Sequence, residues 1–180
     1  MRKDSLRQLY VDELKDLYSA ETQIVKTLPK LAKASSNAQL RQAFERHLRE
    51  TSEQVSRLEQ IFDMLEEKPT GRKCLGIEGL VKEGSETMQE AYQDSVMDAA
   101  LIGAAQRVEH YEIAGYGTVR AFAELLGEAE HASLIGQTLE EEKQADQMLT
   151  RLAEEINFQA GQSAAEMRES TSKTASRRAA

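Results

Sequence analysis

Several glutamates in this sequence occupy positions where the helical spacing of apolar residues calls for a core side chain. Glu21 lies between Leu17 and Ile24, and Glu112 and Glu142 hold equivalent positions in two later apolar stripes. Because successive residues of a helix are rotated by 100°, residues three or four apart share one face, so these acids face the interior. A buried carboxylate is costly unless it is protonated or bound by a cation. The pattern therefore predicts a metal site.

Further candidate ligands flank these central positions. Glu109 and Asp146 each lie about one helical turn from a central acid, at the edge of its stripe. On an earlier stripe His47 takes the core position, and Glu50 and Gln54 lie at its margin. The predicted metal ligands are Glu21, Glu50, Glu109, Glu112, Glu142 and Asp146, and the additional ligands or hydrogen-bond partners of the ligands are His47, Gln54, Tyr18 and Tyr116.

The positions of these acids along their helices favour a single site. Glu21 and Glu50 are equally far from the predicted turn near residues 35 and 36, and Glu112 and Glu142 are equally far from Gly127. Each acid lies about 15 residues from its turn, which is about 22 Å at 1.5 Å per residue. In helices of about 30 residues this is the middle. We therefore expect the two pairs to meet at one level, even with their turns at opposite ends.

The elements that must position these residues are four long amphipathic helices. Apolar stripes predict helices from about Ser5 to Ala34, over 40–65, from about 101 to Gly127, and from 135 until the pattern fades near Phe158. Ser5 and Ser36 each precede a glutamine by three residues, which is a capping-box pattern for a helix start. A shorter stripe over 77–88 predicts a fifth helix inside the connection between the two hairpins.

The fold class that follows is all-α. Two tight hairpins and a long connection predict a four-helix bundle with one long crossover that carries a fifth short helix. Residues 1–158 are expected to form the bundle. Residues 159–180 are rich in Ser, Ala, Thr and Gln, and they carry too little apolar surface to compensate for the entropy of ordering. We therefore expect a flexible C-terminal tail.

Composition narrows the functional classes. The chain has 180 residues with 31 acidic and 23 basic side chains, and its formal net charge of -8 argues against a nucleic-acid-binding surface. Its apolar runs are too short to span a membrane, and its first residues lack the apolar region of a signal peptide. The single cysteine, Cys74, cannot form an internal disulfide, so we expect a reducing, cytoplasmic location.

The ligand types also indicate which metals suit the site. Carboxylate-rich sites in helical bundles suit iron or manganese, which accept oxygen ligands and change oxidation state. We therefore expect two divalent ions, iron or manganese, as cofactors. The alternative is that Lys26, Arg46, Arg107 or water neutralises the acids in a widened, hydrated bundle middle.

Several segments of the chain carry a family resemblance. They include Tyr18-Ser-Ala-Glu21-Thr-Gln23, His47-Leu-Arg-Glu50-Thr51, Val108-Glu-His-Tyr-Glu-Ile-Ala114 followed by Tyr116-Gly117, and Thr138-Leu-Glu-Glu-Glu-Lys143 with Asp146. Through these segments, residues 5 to about 157 resemble the ferritin-like superfamily, and more closely the YciF-type bacterial stress proteins. The resemblance implies a ferritin-like bundle, usually a homodimer, in a family linked to bacterial stress responses. We expect its metal centre to react with oxygen or peroxide.

The chain departs from the common di-iron pattern, which places one Glu on each of two helices and Glu-x-x-His on each of the other two. Neither Glu50 nor Glu142 is followed by a histidine at the third position, where Ala145 stands after Glu142. His47 and Asp146 would take the place of the two histidines. An alternative function is therefore a non-catalytic dimeric stress scaffold or binding protein with a structural or vestigial metal site. Storage in a ferritin-like or DNA-protecting cage is a third.

Overall fold

The chain folds into helices throughout the part that the structure describes. The computed structural model describes the backbone of residues 5–178 and the side chains of residues 5–162, and it contains no strand in this range. The helices are α1 (Leu6–Ala34), α2 (Ala38–Met64), α3 (Leu75–Thr87), α4 (Asp94–Leu126) and α5 (Ala129–Arg178). None of the helices so described has both the length and the apolar character needed to cross a membrane. The predicted all-α bundle with a short helix in its crossover is confirmed.

The four long helices surround one interior. α1 contacts α2 and α4, and α5 contacts the same two helices from the other side, so the order around the bundle is α1, α2, α5, α4. α3 packs outside, against α4 and α1. The start of α4 lies beside the α1/α2 turn, because Asp98 accepts hydrogen bonds from the backbone amides of Ser36 and Asn37, each at 2.8 Å. The α4/α5 turn consequently lies at the opposite end, as expected.

The helix ends are fixed by polar caps. The Ser5 side chain accepts a hydrogen bond from the Gln8 amide at the start of α1, as the capping-box pattern predicts. Gly127 ends α4 with a positive φ of 79°, which glycine adopts without strain. At α2 the capping prediction was wrong by one residue. Asn37, not Ser36, is the N-cap, because the Asn37 side chain accepts hydrogen bonds from the amides of Gln39 and Leu40.

Three helix bounds differ from the prediction. α4 begins at Asp94, about two turns before the start of its predicted apolar stripe, and α5 begins at Ala129, before its predicted start at residue 135. α5 continues to Arg178, through most of the segment predicted as a tail. Helix-favouring Ala, Gln and Glu allow the backbone to continue without burial. Among the described side chains, Ile156 is the last buried residue of α5 and Phe158 is exposed, so the packed core ends close to the predicted boundary. The flexibility of 159–180 stays a prediction.

The interior has two apolar ends and a polar middle. One hydrophobic cluster, here called the turn-end cluster, lies around the α1/α2 turn and includes Leu28, Leu31, Leu40, Phe44, Ile77, Leu101 and Ile156. The other, here called the far-end cluster, includes Tyr10, Leu14, Leu58, Phe62, Val119, Ala123 and Ile135. Buried polar residues occupy the level between them, among them Glu21, His47, Glu109 and Glu142. The fold thus places acidic side chains where a simple bundle would have a continuous apolar core.

Helices α1 and α4 come close together beside this polar layer. A Cβ atom added at Gly115 would lie 2.8 Å from Leu17 Cδ2, which is closer than side chains normally pack. Gly117, two residues later, faces open space, where a Cβ would meet nothing within 4 Å. Of the two glycines on this stretch of α4, Gly115 is therefore the one that helix packing requires.

Candidate metal centre

Four buried side chains from three helices converge in the polar layer. His47 of α2, Glu109 and Glu112 of α4, and Glu142 of α5 each offer one ligand atom, and these atoms all lie within 4.8 Å of one another. All four residues are buried, and Glu142 is completely inaccessible to solvent. A divalent cation bound by one imidazole nitrogen and three carboxylate oxygens matches this donor set.

Glu21 of α1 adds a fifth buried side chain to the group. Burial, followed by the charge of Glu142, raises the pKa of Glu21 well above its usual value. Burial also raises the pKa values of Glu109 and Glu112. The second largest cause is the charge of Glu142 for Glu109 and the charge of Glu21 for Glu112. Without a cation, Glu21, Glu109 and Glu112 therefore retain protons at a pH where exposed carboxyl groups would release them.

Most of the carboxylate oxygens at this level have no hydrogen-bond donor. Among the residues whose side chains the structure describes, both oxygens of Glu112 and the Oε2 atoms of Glu21, Glu109 and Glu142 are buried without a hydrogen-bond partner. Native proteins pair nearly all of their buried polar atoms, and the exceptions call for a specific explanation. Oxygen atoms that face one another without donors fit a bound cation, so the residues present fit the predicted metal.

His47 is the basic side chain of the cluster. Its Nε2 lies 3.3 Å from a Glu109 oxygen and 3.8 Å from a Glu142 oxygen. Burial lowers the pKa of His47, but Glu50 and Glu142 outweigh burial and leave that pKa raised. Among the described residues it is the cationic side chain that forms ion pairs with the buried acids. One imidazolium cannot neutralise four carboxylates.

The alternative set of cations does not reach the buried acids. Arg46 lies 3.7 Å from Glu50 at the surface, and the Arg107 guanidinium donates to the Gly103 carbonyl at 3.0 Å. Lys26 is exposed. The structure therefore does not support neutralisation of the central carboxylates by these three residues.

Two predicted partner residues orient the ligands. The Tyr116 hydroxyl donates to Glu21 Oε1, and the Gln54 amide donates to Glu142 Oε1. Gln54 also donates to Glu141 Oε2 at 3.1 Å, while its own Oε1 is buried without a partner. Tyr116 and Gln54 thus lie where the sequence placed them, directly against the carboxylates.

Three other predicted residues lie outside the central group. Glu50 is about a third exposed, and its Oε2 lies 3.5 Å from His47 Nδ1. Asp146 accepts a hydrogen bond from Gln106 at 3.0 Å and pairs with exposed His110 at 3.2 Å, so it lies at the border. The Tyr18 prediction needs correction, because its hydroxyl donates to Glu59 at 2.9 Å on the exposed side of α2 and not to a ligand.

An ion pair that holds Gln54 against Glu142 was not predicted from the sequence. Arg57 makes a two-pronged contact with Glu141, with distances of 2.7 and 2.6 Å, and donates to Thr138 at 2.9 Å. Glu141 in turn accepts from Gln54, which binds Glu142. Arg57 precedes the buried Leu58 by one residue and could be placed on the margin of the α2 stripe, but its partner on α5 could not be predicted from either helix alone.

Comparison with known proteins gives consistent results. The chain is 46% identical over 154 residues to the protein YciF of Escherichia coli (strain K12). The aligned region covers 85% of this chain and 93% of that protein. The crystal structure of the E. coli stress protein YciF matches with a TM-score of 0.83 at 44% identity, over 86% of this chain and 98% of that one. A structure of YcfI from Rhodopseudomonas palustris matches with a TM-score of 0.79 at 44% identity, over 82% and 94% of the two chains.

The family match covers the whole of the helical bundle. The family described as Domain of unknown function (DUF892) matches residues 5–161, from the N-cap of α1 to just beyond the last buried residue of α5. The matched range includes every residue of the candidate metal centre. The chain belongs to this family and is a YciF-type protein.

Proposed function

We propose that this protein is a ferritin-like dimetal carboxylate protein that binds two iron or manganese ions in the polar layer and reacts with oxygen or peroxide under stress. The observation that carries the proposal is the group of buried carboxylate oxygens without hydrogen-bond donors, on three facing helices with His47. A metal ion is the most economical partner for such a group, because it satisfies several oxygens at once.

The number of acidic side chains suits two ions. His47, Glu109, Glu112 and Glu142 form one close group, and Glu21, which accepts from Tyr116, adds a further carboxylate beside Glu112. Without a bound cation, burial and neighbouring charges raise the pKa values of Glu21, Glu109 and Glu112. Binding a cation requires the deprotonated forms, so metal uptake is expected to release protons.

The chemistry of the bound metals depends on how firmly the chain holds their ligands. When bound, iron or manganese supplies the electron transfer that reduces oxygen or peroxide. Tyr116 fixes the orientation of Glu21, and Arg57 anchors Glu141, which holds the Gln54 amide against Glu142. Outer residues that orient ligands in this way typically change metal affinity by about 10-fold to 100-fold.

The biological setting is proposed from the relatives. The E. coli relative of known structure is called a stress protein, and we extend a stress-related role to this chain. A homodimer and a cytoplasmic location remain predictions, which size-exclusion chromatography and cell fractionation would test. A non-catalytic scaffold is the alternative if the site binds no metal or binds it without reaction.

The deciding experiment is metal analysis of the reconstituted protein. Protein purified without chelators and loaded anaerobically with ferrous iron or Mn²⁺ is expected to hold two metal ions per chain, measured by mass spectrometry, and to give an optical transient after an oxygen or peroxide pulse. Glu112→Ala is expected to halve or abolish loading, whereas Glu45→Gln, an exposed change on α2, should leave it intact. Substoichiometric metal in the unaltered protein would refute the proposal.

A further inference from the structure

The structure leaves one side of the metal centre open to solvent, between α2 and α5. A surface cavity of about 300 Å³ lies there, and four of its lining residues, Arg46, Glu50, Ala145 and Met148, also line a narrow cavity of about 20 Å³ beneath it. The narrow cavity reaches His47 and Glu109. Its volume is about that of one water molecule.

We propose that this opening is the route by which metal ions enter the centre, and that Glu50 is the carboxylate that takes an ion from solvent and transfers it to His47. The inference rests on the proposed metal-binding function. Glu50 would then deliver the ion to the centre, whereas the buried ligands hold it there. A buried metal site needs such a route, because the ion must exchange its water for protein ligands on the way in.

Glu50 is the candidate ligand whose position suits this task. Its side chain is 35% exposed, whereas that of His47 is 7% exposed and that of Glu109 is 4% exposed. One Glu50 oxygen lies 3.5 Å from His47 Nδ1, on the outer edge of the ring whose Nε2 faces Glu109 and Glu142, so an ion held by Glu50 is separated from the buried carboxylates by this one side chain. His47 and ion pairing lower the pKa of Glu50, and the carboxylate is charged at neutral pH.

Small and flexible side chains keep the route open. Ala145 lines both cavities one turn after Glu142, at the position where the common di-iron pattern has a ligand histidine. Met148 lines both as well, and its unbranched side chain adapts to passing groups. Glu141 also lines the outer cavity, and Arg57 holds it in place with two hydrogen bonds.

The charges at the mouth explain how the route is controlled. Glu50 and Glu141 attract cations, but Arg57 binds Glu141 in a two-pronged contact, so Glu50 is the carboxylate available to an incoming ion. Two arginines also line the mouth: Arg46 lies 3.7 Å from Glu50 and competes with the ion for it, and Arg151 adds a second positive charge. An exposed pair of this kind is weak and exchanges readily, so Arg46 delays an ion without excluding it.

The test is the rate of Co²⁺ uptake by the metal-free full-length protein, followed by visible absorption in a stopped-flow instrument. Glu50→Gln keeps the shape of the side chain and removes its charge, and it should slow uptake about tenfold, since attractive charge at a site entrance raises association rates by about 10-fold to 1,000-fold. Ala145→Leu should slow uptake by obstruction. Glu45→Gln is the control, with the same charge change at an exposed position of α2.

The final amount of bound Co²⁺ tests the metal-binding function, and the rate of uptake tests the route. The same final Co²⁺ stoichiometry in all four proteins, with slow uptake in Glu50→Gln and Ala145→Leu, supports the route. Added salt should slow the unaltered protein more than Glu50→Gln. Equal rates in all variants would overturn the route, and a lower end point in Glu50→Gln would make Glu50 a resident ligand. No uptake by the unaltered protein would refute the metal-binding function itself.

Discussion

Replacing Glu112 by glutamine is expected to stabilise the metal-free protein and to remove its response to metal. Burial, and then the charges of Glu21, Glu142 and Glu109, raise the pKa of Glu112 well above its usual value. The folded protein therefore retains a proton on this carboxyl at a pH where the unfolded chain has lost it. The unfolded chain releases this proton at a lower pH than the folded protein does. The free energy of unfolding of the metal-free protein should therefore fall as pH rises above about 4.3, the pKa of glutamate in an unfolded chain.

The expected size of the effect follows from this linkage. A single group that is protonated only in the folded state costs about 1.4 kcal/mol for each pH unit above its unfolded pKa, until its folded pKa is reached. Between pH 4.3 and pH 7 this cost has an upper bound of about 4 kcal/mol. Replacement of buried charged groups by neutral ones of similar volume stabilises by about 1 to 4 kcal/mol, so Glu112→Gln should raise the free energy of unfolding at pH 7 by about 2 kcal/mol. For a chain of this length, this corresponds to a rise in Tm of about 4 to 8 °C.

The assay is thermal unfolding between pH 5 and pH 8, with a chelator or with Mn²⁺. Mn²⁺ at about 100 times its dissociation constant should stabilise the unaltered protein by about 2.7 kcal/mol, or about 5 to 11 °C. Glu112→Gln should show little of this response, whereas Glu45→Gln should behave like the unaltered protein. A metal-free Glu112→Gln protein that melts below the unaltered protein at pH 7 would refute the reasoning, because Glu112 would then be a stabilising charge.

Four further substitutions test other contacts. Asp98→Asn leaves one of the two amides at the start of α2 without an acceptor, and it should lower the free energy of unfolding in urea by about 2 kcal/mol; an unchanged midpoint would contradict this. Gly117→Ala should raise stability by up to about 1 kcal/mol through helix propensity, whereas crowding should cancel that gain in Gly115→Ala, and equal Tm values would argue against the close packing there. Tyr116→Phe removes the donor to Glu21 and should weaken metal binding about 10-fold to 100-fold in a competition with a chelator, an effect that a merely structural hydroxyl would not have.

The fold could be predicted from the sequence because apolar spacing and helix caps act locally. The stripe around Leu17 and Ile24 placed Glu21 inside the bundle, and the structure buries it completely. Where local patterns competed with distant contacts, prediction failed. Ser36 has the better capping-box pattern, but Asn37 caps the helix with its side chain, and Asp98, a distant residue in the sequence, binds the amides of both Ser36 and Asn37.

The sequence predicted which side chains of the site face the interior, but it was a poorer guide to the residues that contact them. The spacing of α2 placed both His47 and Gln54 near the interior, and both are buried, whereas Glu50, one turn after His47, turns toward solvent. The distance to the hairpin turn suggested that Glu21 faces Glu50. The hydroxyl of Tyr116 on α4 binds Glu21 instead, because α1 packs against α4 as well as α2. One-dimensional spacing fixes the height and face of a residue but not which neighbouring helix supplies its contact.

The polar layer also divides the interior into two apolar halves. The turn-end cluster and the far-end cluster each have their own large side chains, and between them the helices meet through carboxylates that repel one another. Apolar burial drives cooperative folding, so an interruption of it separates the two ends energetically. A cation drawn to the middle would join four helices at this weak level. The metal would then act as a mechanical coupling that lets the two ends of the bundle unfold as a single unit.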